Sequence, residues 1–196
     1  MLTIAITGGI ACGKSLAGRY LREMGVPVCE ADDLARAVLA KGEPVHDRVA
    51  EAFGPEVMMP DGEIDRVALA ALVFGDSVKR ERLNALTHPE IIKRLREWVA
   101  GQSAKAPYVA AVIPLLHEIK DEDQWGVVVC VAAPEAEQRR RLVMRGLTAK
   151  EAEARMRSQL RLSEKMERSD YVIFNGGSEK LLEEQVGRVM RSIRGG

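Results

Sequence analysis

Residues 8–15 read Gly-Gly-Ile-Ala-Cys-Gly-Lys-Ser, the spacing G-x-x-x-x-G-K-S/T. A loop of this pattern turns its backbone N–H groups onto the phosphates of a nucleotide. Its lysine reaches the β and γ oxygens, and its hydroxyl ligates Mg²⁺. Lys14 and Ser15 fill those two places, with Gly9, Ile10, Ala11, Cys12, Gly13 and Leu16 completing the phosphate-binding stretch. The bland alternative is a glycine-rich strand-to-helix turn that binds nothing. The apolar run before the loop and the helical period after it favour the nucleotide.

Acids and arginines supply what a phosphoryl transfer needs at its other end. Glu30, Asp32 and Asp33 follow a second apolar run, and arginines recur at Arg139, Arg140, Arg141, Arg145, Arg155, Arg157 and Arg161. An acid is required to orient and deprotonate an acceptor hydroxyl. Cations are required to close over the γ-phosphate while water is excluded. The guanine-binding N-K-x-D signature is missing. Residues 127–131, the best apolar run for a motor ATPase, lead into Ala132-Ala133 rather than an Asp-Glu pair. The pattern therefore favours a kinase for a small hydroxyl acceptor.

These groups must be positioned by strands and helices in alternation. Residues 2–6, 26–29, 108–113, 127–131 and 171–174 have strand character, and most are continuously apolar, as parallel strands covered on both faces are. Leu16, Tyr20, Leu21 and Met24 give one helical face, stopped by Gly25 and Pro27. Leu182, Val186, Val189, Met190 and Ile193 give another, stopped before Gly195-Gly196. The expectation is an α/β fold, a doubly wound five-stranded parallel sheet with ligands at the carboxyl ends of its strands. Two segments interrupt it. Residues 32–103 hold amphipathic helical stretches at 45–53, 65–74, 78–86 and 89–99 and no strand, which suits a helical substrate-binding insertion. Residues 135–165 form a charged, helix-prone lid, where Thr148 and Glu151 make a capping box. The nucleotide-binding core is then residues 1–31, 104–134 and 166–196.

Composition excludes several classes. The 196 residues carry 29 basic and 29 acidic side chains, so no net field draws nucleic acid. No window approaches the roughly 20 apolar residues of a membrane span, and the N-terminus lacks a basic signal-peptide region. Cys12, Cys29 and Cys130 lack metal-ligand spacing and read as buried or reduced thiols of a cytoplasmic protein. Cys12, inside the phosphate loop, is either an oxidation-sensitive thiol or an inert small residue.

The chain resembles the dephospho-CoA kinase family, on pieces that run in order along its length. They are ITGGIACGKS at the start, EADDLAR from Glu30, FGPEVMMPDGEIDR from Phe53, LTHPEI from Leu86 and IPLLHE from Ile113. Gln138 with Arg141 and Arg145, then Gln159, then SDYVIFNGG from Ser169 complete the set. The phosphate loop is widely shared, whereas E-A-D, D-R, T-H-P, P-L-L-x-E and D-x-x-x-x-N in sequence are discriminating. The resemblance implies a P-loop nucleotide-kinase fold with a CoA-binding insertion and a lid. It implies ATP and Mg²⁺ as donor and metal, and the ribose 3′-hydroxyl of dephospho-CoA as acceptor.

It also implies roles. Asp32 is the general base, set against its reading as a helix N-cap for residues 34–39, a place Asp33 fills equally. Arg66 faces the acceptor. His88 either lines that site or packs before Pro89, which opens the next helix. Glu118 holds water or Mg²⁺, and Thr7 joins the substrate-binding set. His117 stands where the family has an aromatic ring. Arg141 clamps the γ-phosphate, Arg145 touches adenine or phosphate, and Asn175 lies where adenine binds. Glu30 replaces the family's usual Asp, and Ala11 and Leu16 replace its Gly and Thr; Ala11 costs little unless its φ is positive. Two rivals remain: another small-molecule kinase of this architecture, acting on a nucleoside or nucleotide, and a nucleotide-binding regulator without catalysis. Monomer and small homo-oligomer are equally compatible with the sequence.

Overall fold

The computed structural model describes residues 1–102, 104 and 106–195, which divide into two compact units. The first comprises Met1–Glu30 and Gln102–Gly196, the second Ala31–Gly101. The expected end of the insertion at Ser103 and the terminal Gly196 lie outside the described residues.

The first unit is built on five strands: β1 (Leu2–Gly8), β2 (Val28–Glu30), β3 (Tyr108–Val112), β4 (Val127–Ala132) and β5 (Tyr171–Phe174). They lie in the order β2-β3-β1-β4-β5 with every pairing parallel. The central strands β1, β3 and β4 stay largely apolar because helices cover both faces, whereas the edge strand β5 leaves Val172 and Phe174 exposed. On one face Ile4, Ile6, Val129, Val131 and Ile173 meet Ala17 and Leu21 of α1 (Lys14–Glu23). The same residues meet Leu182, Val186, Met190 and Ile193 of the C-terminal helix, Glu179–Gly195. That helix runs through Gly195, one residue past its expected stop. Leu16 packs against this core from its edge.

Between β4 and β5 the chain forms three further helices over Glu135–Met144, Ala149–Arg157 and Leu162–Glu167. The capping box at the second of these is present: Thr148 Oγ1 accepts from the Glu151 N–H, and the Glu151 carboxylate accepts from the Thr148 N–H. The third lies against β1 and β4.

The second unit is helical. Its helices are α2 (Ala31–Ala37), α3 (Pro44–Phe53), α4 (Arg66–Phe74) and α5 (Ser77–Gly101), around a core of Val38, Val45, Val49, Phe53, Val57, Ile64 and Leu69. The helices that continue the chain in the first unit are therefore α6 (Glu135–Met144), α7 (Ala149–Arg157), α8 (Leu162–Glu167) and α9 (Glu179–Gly195). Two expectations are corrected here. The stretches 78–86 and 89–99 form one continuous helix, with Pro89 inside it rather than at its start. Pro89 forfeits one backbone bond, but Leu83, Leu86 and Ile91 pack on the helical core, and Thr87 is buried with its hydroxyl donating to the Leu83 carbonyl at 2.9 Å. Packing on both sides of the proline outweighs the lost bond. The second correction concerns α2, which begins at Ala31. Asp32 and Asp33 lie in its first turn, and neither is an N-cap for residues 34–39.

A candidate phosphoryl-transfer site

The loop after β1 is shaped by its glycines. Gly8 has φ +137°, and a Cβ there would fall 2.0 Å from the Val131 carbonyl oxygen of β4. Gly13 has φ +99°, and a Cβ there would fall 2.3 Å from Asn175 Nδ2. Both positions require glycine. Ala11 is the exception in the loop, adopting φ +58° with a side chain. The condition under which Ala11 ceases to be cheap is thus met.

Three side chains from elsewhere in the chain hydrogen-bond to the loop backbone, and a fourth lies close to it. Arg141 of α6 donates from Nη1 to the Ala11 carbonyl at 3.1 Å and from Nη2 to the Asn175 carbonyl at 3.2 Å. Asn175, directly after β5, donates from Nδ2 to the Cys12 carbonyl at 2.9 Å. Gln159 accepts from the Ile10 N–H at 3.0 Å. Gln138, buried on α6, places its Oε1 2.8 Å from where a Gly9 Cβ would stand. Lys14 Nζ lies along the loop, donating to the Gly8 carbonyl at 3.2 Å and to that of Gly9 at 2.8 Å. Its ammonium is therefore held at the mouth of the loop, where an incoming phosphate would meet it.

Ser15, on the first turn of α1, donates to Glu30 Oε2 at 3.3 Å, and Arg22 Nη2 donates to Glu30 Oε1 at 3.1 Å. A hydroxyl beside a carboxylate is a hard-oxygen donor pair of the kind Mg²⁺ takes when phosphates and waters fill its other positions. The two residues fit that ion, and the longer side chain of Glu30 reaches Ser15. Among the described residues, no group of three or more His, Cys, Asp or Glu side chains stands ready to hold a metal alone. A metal here needs the nucleotide's own oxygens.

Cys12 is fully buried, and burial pushes its thiol up despite the nearby Lys14. A thiol held protonated is a poor nucleophile, which favours the inert reading of Cys12 over the oxidation-sensitive one. Thr7, the residue before Gly8, is buried, and its Oγ1 has no partner among the described residues. Arg145 is the exposed residue that ends α6. Arg139 and Arg140 pair with Glu153 and Glu137 on the surface. Glu118, after β3, is occupied: Oε1 takes Lys165 Nζ at 2.7 Å and the Leu160 N–H at 3.0 Å. Lys165 is fully buried and also donates to the Pro114 carbonyl at 2.9 Å. His117 is buried, as a packing ring would be.

Asp32, Arg66 and His88 belong to the second unit. Asp32 is exposed in the first turn of α2, with no hydrogen bond or ion pair among the described residues, so both its oxygens can accept. Asp33 beside it pairs with Arg36 at 2.6 Å. Arg66 is exposed as the first residue of α4, capped by Asp65, which accepts from the Val67 and Ala68 N–H groups. His88 is half-buried within α5, and burial lowers its pKa, favouring the neutral ring. The structure thus gathers Lys14, Ser15, Glu30, Arg141 and Asn175 at one loop and leaves Asp32, Arg66 and His88 on the helical unit. Sequence reasoning missed Lys165. On a helix reading Leu-Ser-Glu-Lys-Met-Glu it looks like a solvated charge, although it shares the face of Leu162.

Comparison with known proteins agrees with this geometry. A family model described as dephospho-CoA kinase matches residues 2–180. A dephospho-CoA kinase of Anaeromyxobacter dehalogenans is 43% identical over 198 aligned residues, covering 100% of this chain and 94% of the relative. A crystal structure of a Thermus thermophilus protein superposes with TM-score 0.83 at 36% identity, covering 97% of each chain. Dephospho-CoA kinase from Campylobacter jejuni superposes with TM-score 0.73 at 25% identity, covering 97% of this chain and 96% of that one.

Proposed function

This chain belongs to the dephospho-CoA kinase family, and we propose on that footing that it transfers the γ-phosphate of ATP to the ribose 3′-hydroxyl of dephospho-CoA, releasing CoA and ADP. The observation that carries the reading is a braced phosphate loop, with lysine and Mg²⁺-type donors in place, inside a chain that matches the family from residue 2 to 180.

The residues divide the work. The loop N–H groups and the Lys14 ammonium bind the triphosphate, those of Ile10 and Cys12 excepted because Gln159 and the Gly9 carbonyl accept them, and Lys14 neutralises charge on the oxygens that bridge donor and transferred group. Ser15 and Glu30 would hold Mg²⁺, which would supply charge neutralisation at the phosphates. Asp32 takes the proton of the acceptor hydroxyl as its oxygen forms the new bond to phosphorus and the bond to the ADP oxygen breaks. Its lack of a partner among the described residues supports that role. Arg141 stabilises the phosphoryl group in transit, and its planar fork suits it to that task. Arg145 and Asn175 serve the nucleotide, while Thr7, Arg66, His88 and Glu118 serve the acceptor. Glu118 would do so through Oε2, since Oε1 is engaged.

Residues 32–103 act as the acceptor-binding insertion and residues 135–165 as the lid. Among the described residues no helix is long and apolar enough to cross a membrane. The reading extends to a cytoplasmic enzyme acting on small molecules, as a monomer or small homo-oligomer, without nucleic-acid or membrane partners. One coupled assay tests the whole: ADP release with ATP, Mg²⁺ and dephospho-CoA, beside AMP and adenosine as acceptors. Turnover confined to dephospho-CoA is expected. Preference for AMP or adenosine would favour the other kinase, and nucleotide binding with no turnover would favour the regulator.

A further inference from the structure

Ala11 is held in the left-handed region, where an L side chain is strained. Such a conformation persists only where its surroundings over-determine it. Its flanks are gripped by two side chains from one excursion of the chain, residues 135–165. On one side Arg141 donates to the Ala11 carbonyl at 3.1 Å. On the other, Gln159 Oε1 accepts the N–H of Ile10 at 3.0 Å.

Gln159 is itself well anchored. The next residue, Leu160, donates its N–H to Glu118 Oε1 at 3.0 Å. Glu118 is fixed by the fully buried Lys165, whose Nζ lies 2.7 Å from Oε1 and 2.9 Å from the Pro114 carbonyl just beyond β3. A continuous set of bonds thus leads from the carboxyl end of β3 through Glu118 and the α7–α8 joint to the apex of the phosphate loop.

We propose that Gln159 is a positioning residue for the nucleotide, holding the loop in its binding shape through the Ile10 N–H, and that its weight comes from the strained alanine beside it. A glycine at position 11 would adopt the same φ without strain and would need less external support. The inference rests on the reading of this loop as the nucleotide site.

The test is a double-mutant cycle between Gln159→Met and Ala11→Gly, read by calorimetric titration of Mg-ADP, which requires no acceptor and no turnover. Methionine keeps the length of glutamine and removes the acceptor. We expect Gln159→Met to weaken Mg-ADP binding roughly tenfold in the native background and less than threefold beside Ala11→Gly. In turnover, the KM for ATP should rise roughly tenfold while that for dephospho-CoA stays within about twofold, a split that general loosening of the fold would not produce. Gln159→Ala takes the place of the methionine variant in the same cycle if the latter fails to fold. Equal losses in both backgrounds, or no loss in either, would overturn the proposal. A wild type that fails to bind Mg-ADP would overturn the nucleotide reading of the loop and this inference with it.

Discussion

Ser15 and Glu30 meet across 3.3 Å, hydroxyl to carboxylate, although one opens α1 and the other closes β2. The approach depends on Gly18, where an added Cβ would stand 3.0 Å from Val112 and 3.2 Å from Glu30 Oε1. Arg22 fixes the second carboxylate oxygen at 3.1 Å, so Glu30 is aimed as well as near. Removing its charge should therefore be felt at the metal. Glu30→Gln is expected to raise the Mg²⁺ concentration for half-maximal turnover roughly tenfold, the loss of one carboxylate from a site that takes one or two. Titration of turnover with Mg²⁺ at saturating nucleotide checks it, and an unshifted midpoint removes Glu30 from the metal site.

Asp32 and Lys14 should fail in different ways. Asp32→Asn keeps shape and hydrogen-bonding capacity but cannot take a proton. Turnover is expected to fall by roughly 10² or more, while Mg-ADP affinity stays within about twofold. Lys14→Ala removes the ammonium now resting on the Gly8 and Gly9 carbonyls. It should weaken nucleotide binding and slow chemistry together, because it acts on both ground-state and developing charge. Calorimetry beside steady-state kinetics separates the two patterns, and near-native turnover of the asparagine variant would end the case for Asp32 as base.

Arg141 spans two carbonyls through separate nitrogens of one planar guanidinium. Arg141→Lys retains charge and loses the fork, and kcat should fall at least about tenfold. Arg141→Ala should cost roughly 10²–10³. Wild-type turnover in the lysine variant would show that charge alone matters at this position.

The strands were legible because runs such as Val127–Ala132 are apolar at every residue, and only a doubly covered parallel strand needs that. The loop was legible because its chemistry is local, eight residues in one pattern. What surrounds the loop was legible only through the family resemblance, which named Arg141, Gln159 and Asn175 without their partners. Arg141, Gln159 and Asn175 lie 130, 149 and 163 positions from the loop residues they hold, and no spacing rule encodes such pairs. The positive φ of Ala11 was foreseeable only as a condition, since alanine does not announce it as glycine does. Pro89 misled for a related reason: its local effect is real, but the packing of Leu83, Leu86 and Ile91 that overrides it is tertiary.

His46 provides a pH-dependent element of stability in the helical unit. Its buried ring faces two acceptors, Asp47 Oδ1 at 2.8 Å from Nδ1 and the Gly62 carbonyl at 2.9 Å from Nε2. Only the imidazolium carries an N–H for each. The Asp47 carboxylate, chiefly, therefore raises the pKa of His46 against the opposing effect of burial. A raised native pKa contributes stability that is complete below the unfolded value of about 6.5 and is lost as pH rises through the native one. Asp47 is largely exposed, so screening limits the contribution. Asp47→Asn should destabilise by up to about 1 kcal/mol near pH 5.5 and by less near pH 9. Urea denaturation of both proteins at both pH values reads the difference, and an equal gap at the two would exclude His46 as its source.

Lys165 and Glu118 form a buried pair whose halves are unequal in what they leave behind. Lys165 is fully buried, whereas the Glu118 side chain keeps some exposure, and the carboxylate also caps the Leu160 N–H. Lys165→Met leaves an unpaired carboxylate in a poorly solvated place, and breaking a buried pair from one side typically costs about 3–5 kcal/mol. At roughly 2–4 °C per kcal/mol for a chain of this size, Tm should fall by on the order of 10 °C. Glu118→Gln in the same background removes the stranded charge, while its amide oxygen still accepts from Leu160. The double variant should therefore be more stable than Lys165→Met alone, a reversal that additive losses cannot give. Thermal melts of the wild type, both single variants and the double variant decide it. A double variant no more stable than Lys165→Met would show that a stranded charge is not what destabilises the single variant.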